Sequence, residues 1–158
     1  MQRQRISHGA HSLHQLYAHL VFVTYWRQRL ITAERKEELE TLFREICKKK
    51  GAELVTFGSD NDEEEKEPEQ SKARGDNHVH LLVRYPPTIS ISELVQQLKG
   101  ESSFRLSLHE RSKPAEQRVA RFQWSASYFA KSVGHTSSAG TAKYVAGQGA
   151  KKKRSRRR

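Results

Sequence analysis

The sequence predicts an α+β fold, an antiparallel β-sheet with helices on one face. Strand-like runs rich in β-branched and aromatic residues alternate with two amphipathic helical segments along the chain. The length of 158 residues fits a single domain that buries a core without disulfides. A short apolar run between Asn77 and Pro87, with two histidines spaced two residues apart, has the period of a strand. These three observations define the architecture within which each element is interpreted.

The first half of the chain predicts strand, helix and strand. Leu16 to Thr24 is β-branched and aromatic-rich, which favours a central strand. The segment Tyr25 to Arg29 interleaves aromatics with cations, a combination suited to phosphate and base contacts but equally common at an amphipathic strand end. Thr32 is a capping residue for a packing helix from Ala33 to about Lys50. Ala52 to Gly58 then alternates as a second strand.

The middle of the chain separates two strands by an acidic insertion. Ser59 to Asp76 has almost no apolar residue to bury, so we expect a mobile loop there rather than a calcium site. The third strand follows and ends at Pro86-Pro87. Ser90 and Glu93 stand at capping-box spacing and open a second helix. Phe122 to Gly134 has the period of a fourth strand.

The C-terminal part predicts a short helix from about Ser138 to Gly147, which carries Tyr144. The order strand, helix, strand, strand, helix, strand, helix predicts a ferredoxin-like or RRM-like antiparallel sheet with helices on one face, plus this tyrosine-bearing helix. We therefore expect a basic polar segment at residues 1–14, one domain at 15–149 with the acidic insertion at 59–76, and a basic tail at 150–158.

The charge distribution points to a polyanionic partner. The formal net charge is +11, with seven positive charges in the tail from Lys151 to Arg158 and a net six negative charges between Asp60 and Glu69. The rest of the chain keeps a net charge of +10, which indicates nucleic acid as a partner. The single cysteine, Cys47, excludes an intramolecular disulfide, and no apolar run approaches the roughly 20 residues of a membrane span. We expect a cytoplasmic protein with no membrane partner.

His78 and His80 are the strongest candidate site residues. In an extended strand they project from one face, while Val79 and Leu81 project from the other. Two adjacent imidazoles can share a metal ion, although two partly buried histidines with ordinary hydrogen bonds would give the same pattern.

A second pair lies about 65 residues downstream. Tyr144 and Gln148 are four residues apart, which places them one turn apart on one face of a helix. An amide oxygen added to two imidazoles gives a mixed site with open positions, better matched to Mg²⁺ or Mn²⁺ at a phosphate than to a structural zinc. Tyrosine is a possible nucleophile, but the residues alone leave a helix-packing role for Tyr144 open.

Several motifs occur together and in order. They are the first strand Tyr17 to Thr24, the His78-Val79-His80 strand with its Pro-Pro, the helix Ser92 to Ser103, the segment from Trp124 through Ser132-Val133-Gly134, and Lys143-Tyr144-x-x-x-Gln148. This set resembles the single-tyrosine HUH transposases, the TnpA type of bacterial insertion sequences. The resemblance covers roughly Leu16 to Gln148, and the acidic insertion is longer than it leads us to expect.

The resemblance implies a metal-dependent transposase acting on single-stranded DNA in the bacterial cytoplasm, at the nucleoid. It implies that His78, His80 and Gln148 bind Mg²⁺ or Mn²⁺, and that Tyr144 attacks a phosphate to form a 5′-phosphotyrosine. Relatives of this type are homodimers with composite active sites, and they recognise DNA hairpins. The expected DNA contacts are Arg27, Arg29, Lys99, Ser102, Ser103, Arg105 and Lys131.

Two alternatives remain at this stage. One is a non-catalytic RNA- or DNA-binding module with an RRM-like sheet, which should carry aromatic residues on its central strands. The third strand has histidines and aliphatic residues instead. The other is a domesticated HUH protein associated with repetitive palindromic elements, which shares the chemistry.

Overall fold

The computed structural model describes residues 6–9, 11–59, 75–118 and 120–134 of the chain. The elements within these ranges follow the predicted order, preceded by a short hairpin that the sequence did not predict. They are β1 (Ser7–His8), β2 (Leu13–His14), β3 (Tyr17–Val23), α1 (Ala33–Lys49), β4 (Glu53–Gly58), β5 (His78–Arg84), α2 (Ile91–Ser112) and β6 (Phe129–Ser132).

The central sheet has four antiparallel strands in the order β4-β5-β3-β6. The β3–β5 pair forms its middle, with Val23 opposite His78 and Val21 opposite His80. The predicted α+β class, an antiparallel sheet with helices on one face, is confirmed. The predicted tyrosine-bearing helix falls at residues outside the described ranges.

Alternation along the strands gives the sheet one face that α1 and α2 cover and one, called the uncovered face, on which no helix of the described ranges packs. β5 buries Val79, Leu81 and Val83 in the core shared with α1 and α2, while His78 and His80 on the opposite face are half-buried. β3 has the same pattern, with its core-facing residues in the same cluster. The period of two therefore sets the histidines apart from the core.

The helix ends follow the capping residues that the sequence contains. The Thr32 side chain accepts a hydrogen bond from the Arg35 backbone N–H at 3.3 Å, and Ser90 accepts one from the Glu93 N–H at 3.2 Å. Gly51 follows α1 with φ of 70°, a left-handed conformation that glycine adopts without strain. Neither helix in the described ranges is long and apolar enough to cross a membrane.

A buried ion pair joins the two helices. Arg35 of α1 lies 3.3 Å from a carboxylate oxygen of Glu110 in α2, and both side chains are almost completely buried. The same guanidinium donates to the carbonyl oxygens of Leu30 and Ala120, each at 2.9 Å. Because these bonds compensate the charge, Arg35 fixes how α1, α2 and the segment before β6 pack together.

The predicted fourth strand, Phe122 to Gly134, is too long. The regular ladder with β3 covers Phe129–Ser132, while Trp124 forms an isolated bridge with Thr24 and the Ser125 N–H donates to the Val23 carbonyl at 2.8 Å. The indole of Trp124 packs edge-on against Phe22 at 5.8 Å between ring centroids, in the core. Residues 126–128 separate this bridged stretch from β6, so the pairing with β3 is interrupted before β6 begins.

The ends of the predicted acidic loop are also ordered. Ser59 and Asp76 are buried, and Asp76 exchanges two backbone hydrogen bonds with Ile31, at 2.8 and 3.0 Å. Residues 60–74 of the proposed insertion lie outside the described ranges.

Candidate functional site

The histidine pair lies at the start of β5 on the uncovered face of the sheet. The ring centroids of His78 and His80 are 5.0 Å apart, with an angle of 69° between the planes. Both rings are half-buried, beside the β3 residues Val23 and Val21 to which they are paired. The structure therefore brings two imidazoles together on one face, as the period-two spacing predicts.

Asn77 fixes the orientation of the first ring. Its Oδ1 lies 2.6 Å from Nδ1 of His78. An amide oxygen only accepts hydrogen bonds, so Nδ1 of His78 is the protonated nitrogen that donates. In a neutral ring this leaves the lone pair on Nε2, which is the form that binds a metal ion.

A third histidine, His19 of β3, supports the second ring. The rings of His19 and His80 are stacked at 5.4 Å with an angle of 18°, and His80 Nδ1 lies 3.3 Å from His19 Nε2. The sequence analysis missed both His19 and Asn77. Asn77 adjoins the pair in sequence, but the contact of His19 with His80 depends on the β3–β5 register, which no local pattern reveals.

Metal binding needs more donors than this pair supplies. Among the described residues, no group of three or more His, Cys, Asp or Glu side chains is arranged to hold a metal ion. His78 and His80 contribute two nitrogen donors, and the remaining predicted residues, Tyr144 and Gln148, lie outside the described ranges. Imidazole nitrogens are donors that bind divalent ions.

Three of the predicted DNA-contact residues are exposed near the histidine pair. Arg27 and Arg29 lie on the turn that follows β3. Lys131 of β6 is the register partner of His19, so its side chain emerges on the uncovered face. All three cations are exposed, and the turn with the two arginines follows Val23, the register partner of His78.

Lys99 and Ser102 have structural roles instead. The ammonium of Lys99 donates to the carbonyl oxygens of residues 125, 126 and 127 at 2.5, 3.1 and 3.0 Å, and partial burial lowers its pKa. Ser102 is fully buried and accepts a hydrogen bond from the Trp124 indole N–H at 2.9 Å. Its hydroxyl is therefore engaged inside the protein, and DNA contact at Ser102 stays a prediction.

Arg105 and Ser103 lie in the helical layer, on the other side of the sheet from the histidines. Arg105 pairs with Glu45 of α1 at 2.9 Å and with Glu101 at 3.7 Å. These carboxylates offset its charge, so Arg105 bridges α1 and α2. Ser103 is half-buried and lines a shallow groove of about 340 Å³ together with Phe104.

The sequence that builds this fold and the histidine pair matches one family of proteins. The model of the family described as "Transposase IS200 like" matches residues 12–63 and 71–148 of the chain. The chain belongs to the IS200-like transposase family. The match includes His19, the His78–His80 pair and positions 144 and 148, and its gap falls inside the acidic insertion. The resemblance to TnpA-type transposases of insertion sequences is thereby confirmed.

The chain is also similar in sequence and structure to individual transposases. The transposase of insertion sequence element IS200 from Salmonella typhimurium is 24% identical over 125 residues, 79% of this chain and 72% of the relative. The ISDra2 transposase TnpA of Deinococcus radiodurans is 29% identical over 98 residues, 62% of this chain and 59% of the relative. A crystal structure assigned as a Deinococcus radiodurans transposase has a TM-score of 0.61 at 23% identity, covering 90% of this chain and 98% of that one, and it supports the fold.

Proposed function

We propose that this IS200-like transposase cleaves and rejoins single-stranded DNA at element ends marked by hairpins, with Tyr144 as nucleophile. His78, His80 and Gln148 would hold the divalent ion that the reaction needs. The observation that carries the proposal is the pair of imidazoles on the uncovered sheet face, each with its Nδ1 engaged by a neighbouring side chain.

The donor set fits Mg²⁺ or Mn²⁺. Two neutral imidazole nitrogens with one amide oxygen leave coordination positions for phosphate oxygens. When bound, such an ion polarises the scissile phosphate. Asn77 holds the His78 ring by its Nδ1–H, and we infer that His80 donates its own Nδ1–H to His19. Both rings would then direct Nε2 to the same ion, with their orientation set before DNA binds.

The covalent step exchanges one phosphodiester for another. The Tyr144 Oη forms a bond to phosphorus as the bond to the 3′ oxygen breaks, which gives a 5′-phosphotyrosine. The phenol proton passes to a base or to solvent, and the departing 3′ oxygen takes up a proton to become a hydroxyl. Attack by the 3′-hydroxyl of a second strand reverses the step, so no ATP is consumed.

We further propose that the active unit is a homodimer with composite sites. In this arrangement the histidine pair of one copy meets the tyrosine segment of the other across the uncovered sheet face. Within the described ranges α1 and α2 cover only the opposite face, which is consistent with such a contact. A substrate of chromosomal DNA would place the reaction in the cytoplasm at the nucleoid.

The exposed cations are the proposed DNA contacts. Arg27, Arg29 and Lys131 stand near the histidine pair, and Ser103 lies at a groove on the helical side. Phosphate contacts by these residues would orient the strand without reading its sequence. Lys99 and Arg105 would act indirectly, by fixing the segment before β6 and by joining the helices.

The test is formation of a covalent protein–DNA adduct. Purified protein with Mn²⁺ and a single-stranded oligonucleotide that carries a hairpin from the element's own ends should give a species that migrates slowly on a denaturing gel. The Tyr144→Phe variant should still bind the DNA but should not form this species, because only the nucleophilic oxygen is lost.

Two results would count against the proposal. An adduct that persists in Tyr144→Phe would assign the nucleophile elsewhere. A wild-type protein that binds the oligonucleotide but forms no adduct would favour a non-catalytic or domesticated binding module. The central strands already speak against an RRM-like module, because their uncovered face presents His19, Val21, His80 and Leu82 rather than aromatic stacking residues.

A further inference from the structure

A tryptophan stands in solvent on the turn that follows β3. Trp26 is 78% exposed, whereas the second tryptophan, Trp124, is 6% exposed and lies in the core. Tyr25 beside it is also exposed, and the two rings meet edge-on at 5.6 Å. A large aromatic ring in solvent gains no burial energy, so the fold itself does not account for Trp26.

The backbone of this turn is strained. Trp26 has φ of 54° and Arg27 has φ of 51°, and they are the only non-glycine residues with positive φ in the described ranges. The left-handed conformation is unfavourable for residues with a Cβ, and such strain persists only where the surrounding structure imposes it. The turn therefore holds the indole outward at a conformational cost.

The hydrogen bonds of Thr24 impose this conformation. Thr24 is fully buried, and its hydroxyl lies 2.6 Å from the carbonyl oxygen of Gln28 and 3.0 Å from that of Asn77. The Thr24 backbone N–H also donates to the Asn77 carbonyl, at 2.8 Å. The turn is thus fastened to the residue that orients His78.

This attachment places the indole near the candidate site. Val23 is the register partner of His78, and Trp26 follows Val23 by three residues. Three residues reach at most about 11 Å and antiparallel partners lie about 5 Å apart, so the two Cα atoms are within about 16 Å of each other. A few nucleotides of a single strand span that distance.

The charges around the indole select the kind of ligand. Arg27 and Arg29 are exposed on the same turn, so two cations and an exposed indole lie within four residues of one another. Single-stranded DNA is recognised by this combination, in which bases stack on aromatic rings and phosphates contact basic side chains. We propose that Trp26 is the stacking platform for an unpaired base close to the scissile phosphate. This inference rests on the proposed single-strand substrate and deepens it.

The experiment combines a protein change with a DNA change. The probe is a labelled hairpin oligonucleotide with a 5′ single-stranded extension of about ten nucleotides, titrated by fluorescence anisotropy without metal. Trp26→Ala should weaken binding about 5- to 100-fold, the range expected for loss of one stacked base, and Trp26→Phe should weaken it less. Leu13→Ala removes another exposed apolar side chain, 46% exposed on β2, and should leave binding unchanged.

A set of probes with one abasic site at each position locates the base. One abasic position should weaken wild-type binding as much as Trp26→Ala does, and should cause no further loss in Trp26→Ala, because both changes remove the same contact. Full additivity at every position, or unchanged binding by Trp26→Ala, would overturn the inference.

Other outcomes separate the inference from the proposed function. If Trp26→Ala binds as wild type does and wild type still forms the tyrosine adduct, only the stacking role fails. If wild type binds no single strand and forms no adduct, both fail. If Trp26→Ala converts a dimer to a monomer in sedimentation without DNA and leaves the anisotropy titration unchanged, the indole is a contact between copies and the inference is overturned.

Discussion

Leu81 and Leu82 are neighbours in sequence, yet they lie on opposite faces of the central sheet. Leu81 is fully buried against the helices, while Leu82 is half-buried on the face that presents His78 and His80. The covered face uses β-branched and aliphatic residues to build the core. The uncovered face carries imidazoles, Lys131 and an exposed Phe129.

The comparison shows how short strands serve stability and chemistry together. Because side chains alternate, a residue that changes the site leaves the core largely unaltered, and the reverse also holds. A slip of one residue in the β3–β5 register would exchange the two faces, so the apolar core also fixes which side chains meet at the site. Changes on the covered face should therefore alter unfolding, and changes on the uncovered face should alter metal or DNA binding.

The largest expected effect concerns Cys47 on the covered side. This thiol is buried in α1, and burial raises its pKa to about 12 from the usual 9.0. Labelling by a thiol reagent at pH 8 should be at least about a thousandfold slower in the native protein than in urea-unfolded protein, since reaction requires opening. Rapid stoichiometric labelling of native protein would contradict the burial.

The same shift predicts how stability depends on pH. The unfolded thiol loses its proton near pH 9 while the folded thiol keeps it up to about pH 12. The contribution of Cys47 is therefore present below pH 9 and declines as pH rises between these values. Urea unfolding of wild type and Cys47→Ala at increasing pH measures this contribution. The free energy of unfolding of wild type should fall relative to that of the variant as the pH rises above 9.

The next effect tests the two faces directly. Leu81→Ala should lower the free energy of unfolding by about 2–5 kcal/mol, because it opens a cavity in the core. Leu82→Ala is the matched control and should cost clearly less, since its side chain is only half-buried. Urea denaturation gives both values. An equal cost at the two positions would mean that the faces do not differ in this way.

A smaller effect is expected when the contact between His19 and His80 is removed. His19→Phe keeps a ring beside His80 but removes the nitrogen 3.3 Å from its Nδ1. Affinity for Mn²⁺, measured by calorimetry, should fall about 10- to 100-fold, the usual result of losing such a contact behind a ligand. The urea midpoint should change little. Unchanged Mn²⁺ affinity would exclude the positioning role of His19.

The smallest effect compares two arginines. Arg27→Gln should weaken single-strand DNA binding a few-fold and lower the slope of log K against log salt by about 0.7, as expected for one lost phosphate contact. Arg105→Gln should change neither value much, because Glu45 and Glu101 already offset that charge. Equal effects of the two changes would show that net charge, rather than position on the molecule, determines binding.

Local patterns predicted much of this fold. Period-two alternation at His78–Leu81 gave the face of each side chain, and Thr32 and Ser90 gave the helix starts. The extent of β6 was not predictable, because residues 126–128 interrupt the pairing with β3 after Trp124, whose indole contacts Phe22 and Ser102, which are distant in sequence. An alternating aromatic pattern is the same whether the chain continues as a strand or turns into the core.

The candidate site also combines residues that local sequence patterns reveal with residues that only the tertiary structure reveals. His78 and His80 were predicted because they are local neighbours, and Tyr144 with Gln148 were predicted from helical spacing and the family resemblance. His19 became visible only through the strand register. The contacts of Lys99 and Ser102 with the segment before β6 were likewise not predictable, because helical spacing does not show which residues pack against that segment.

The most direct test of the division between faces is His80→Ala, examined for two quantities in one preparation. The account predicts that the variant forms no tyrosine adduct with Mn²⁺ and hairpin DNA, while its free energy of unfolding stays within about 1 kcal/mol of wild type, since the ring is only half-buried. Adduct formation by His80→Ala at the wild-type rate would contradict the assignment of the uncovered face as the site of the chemistry.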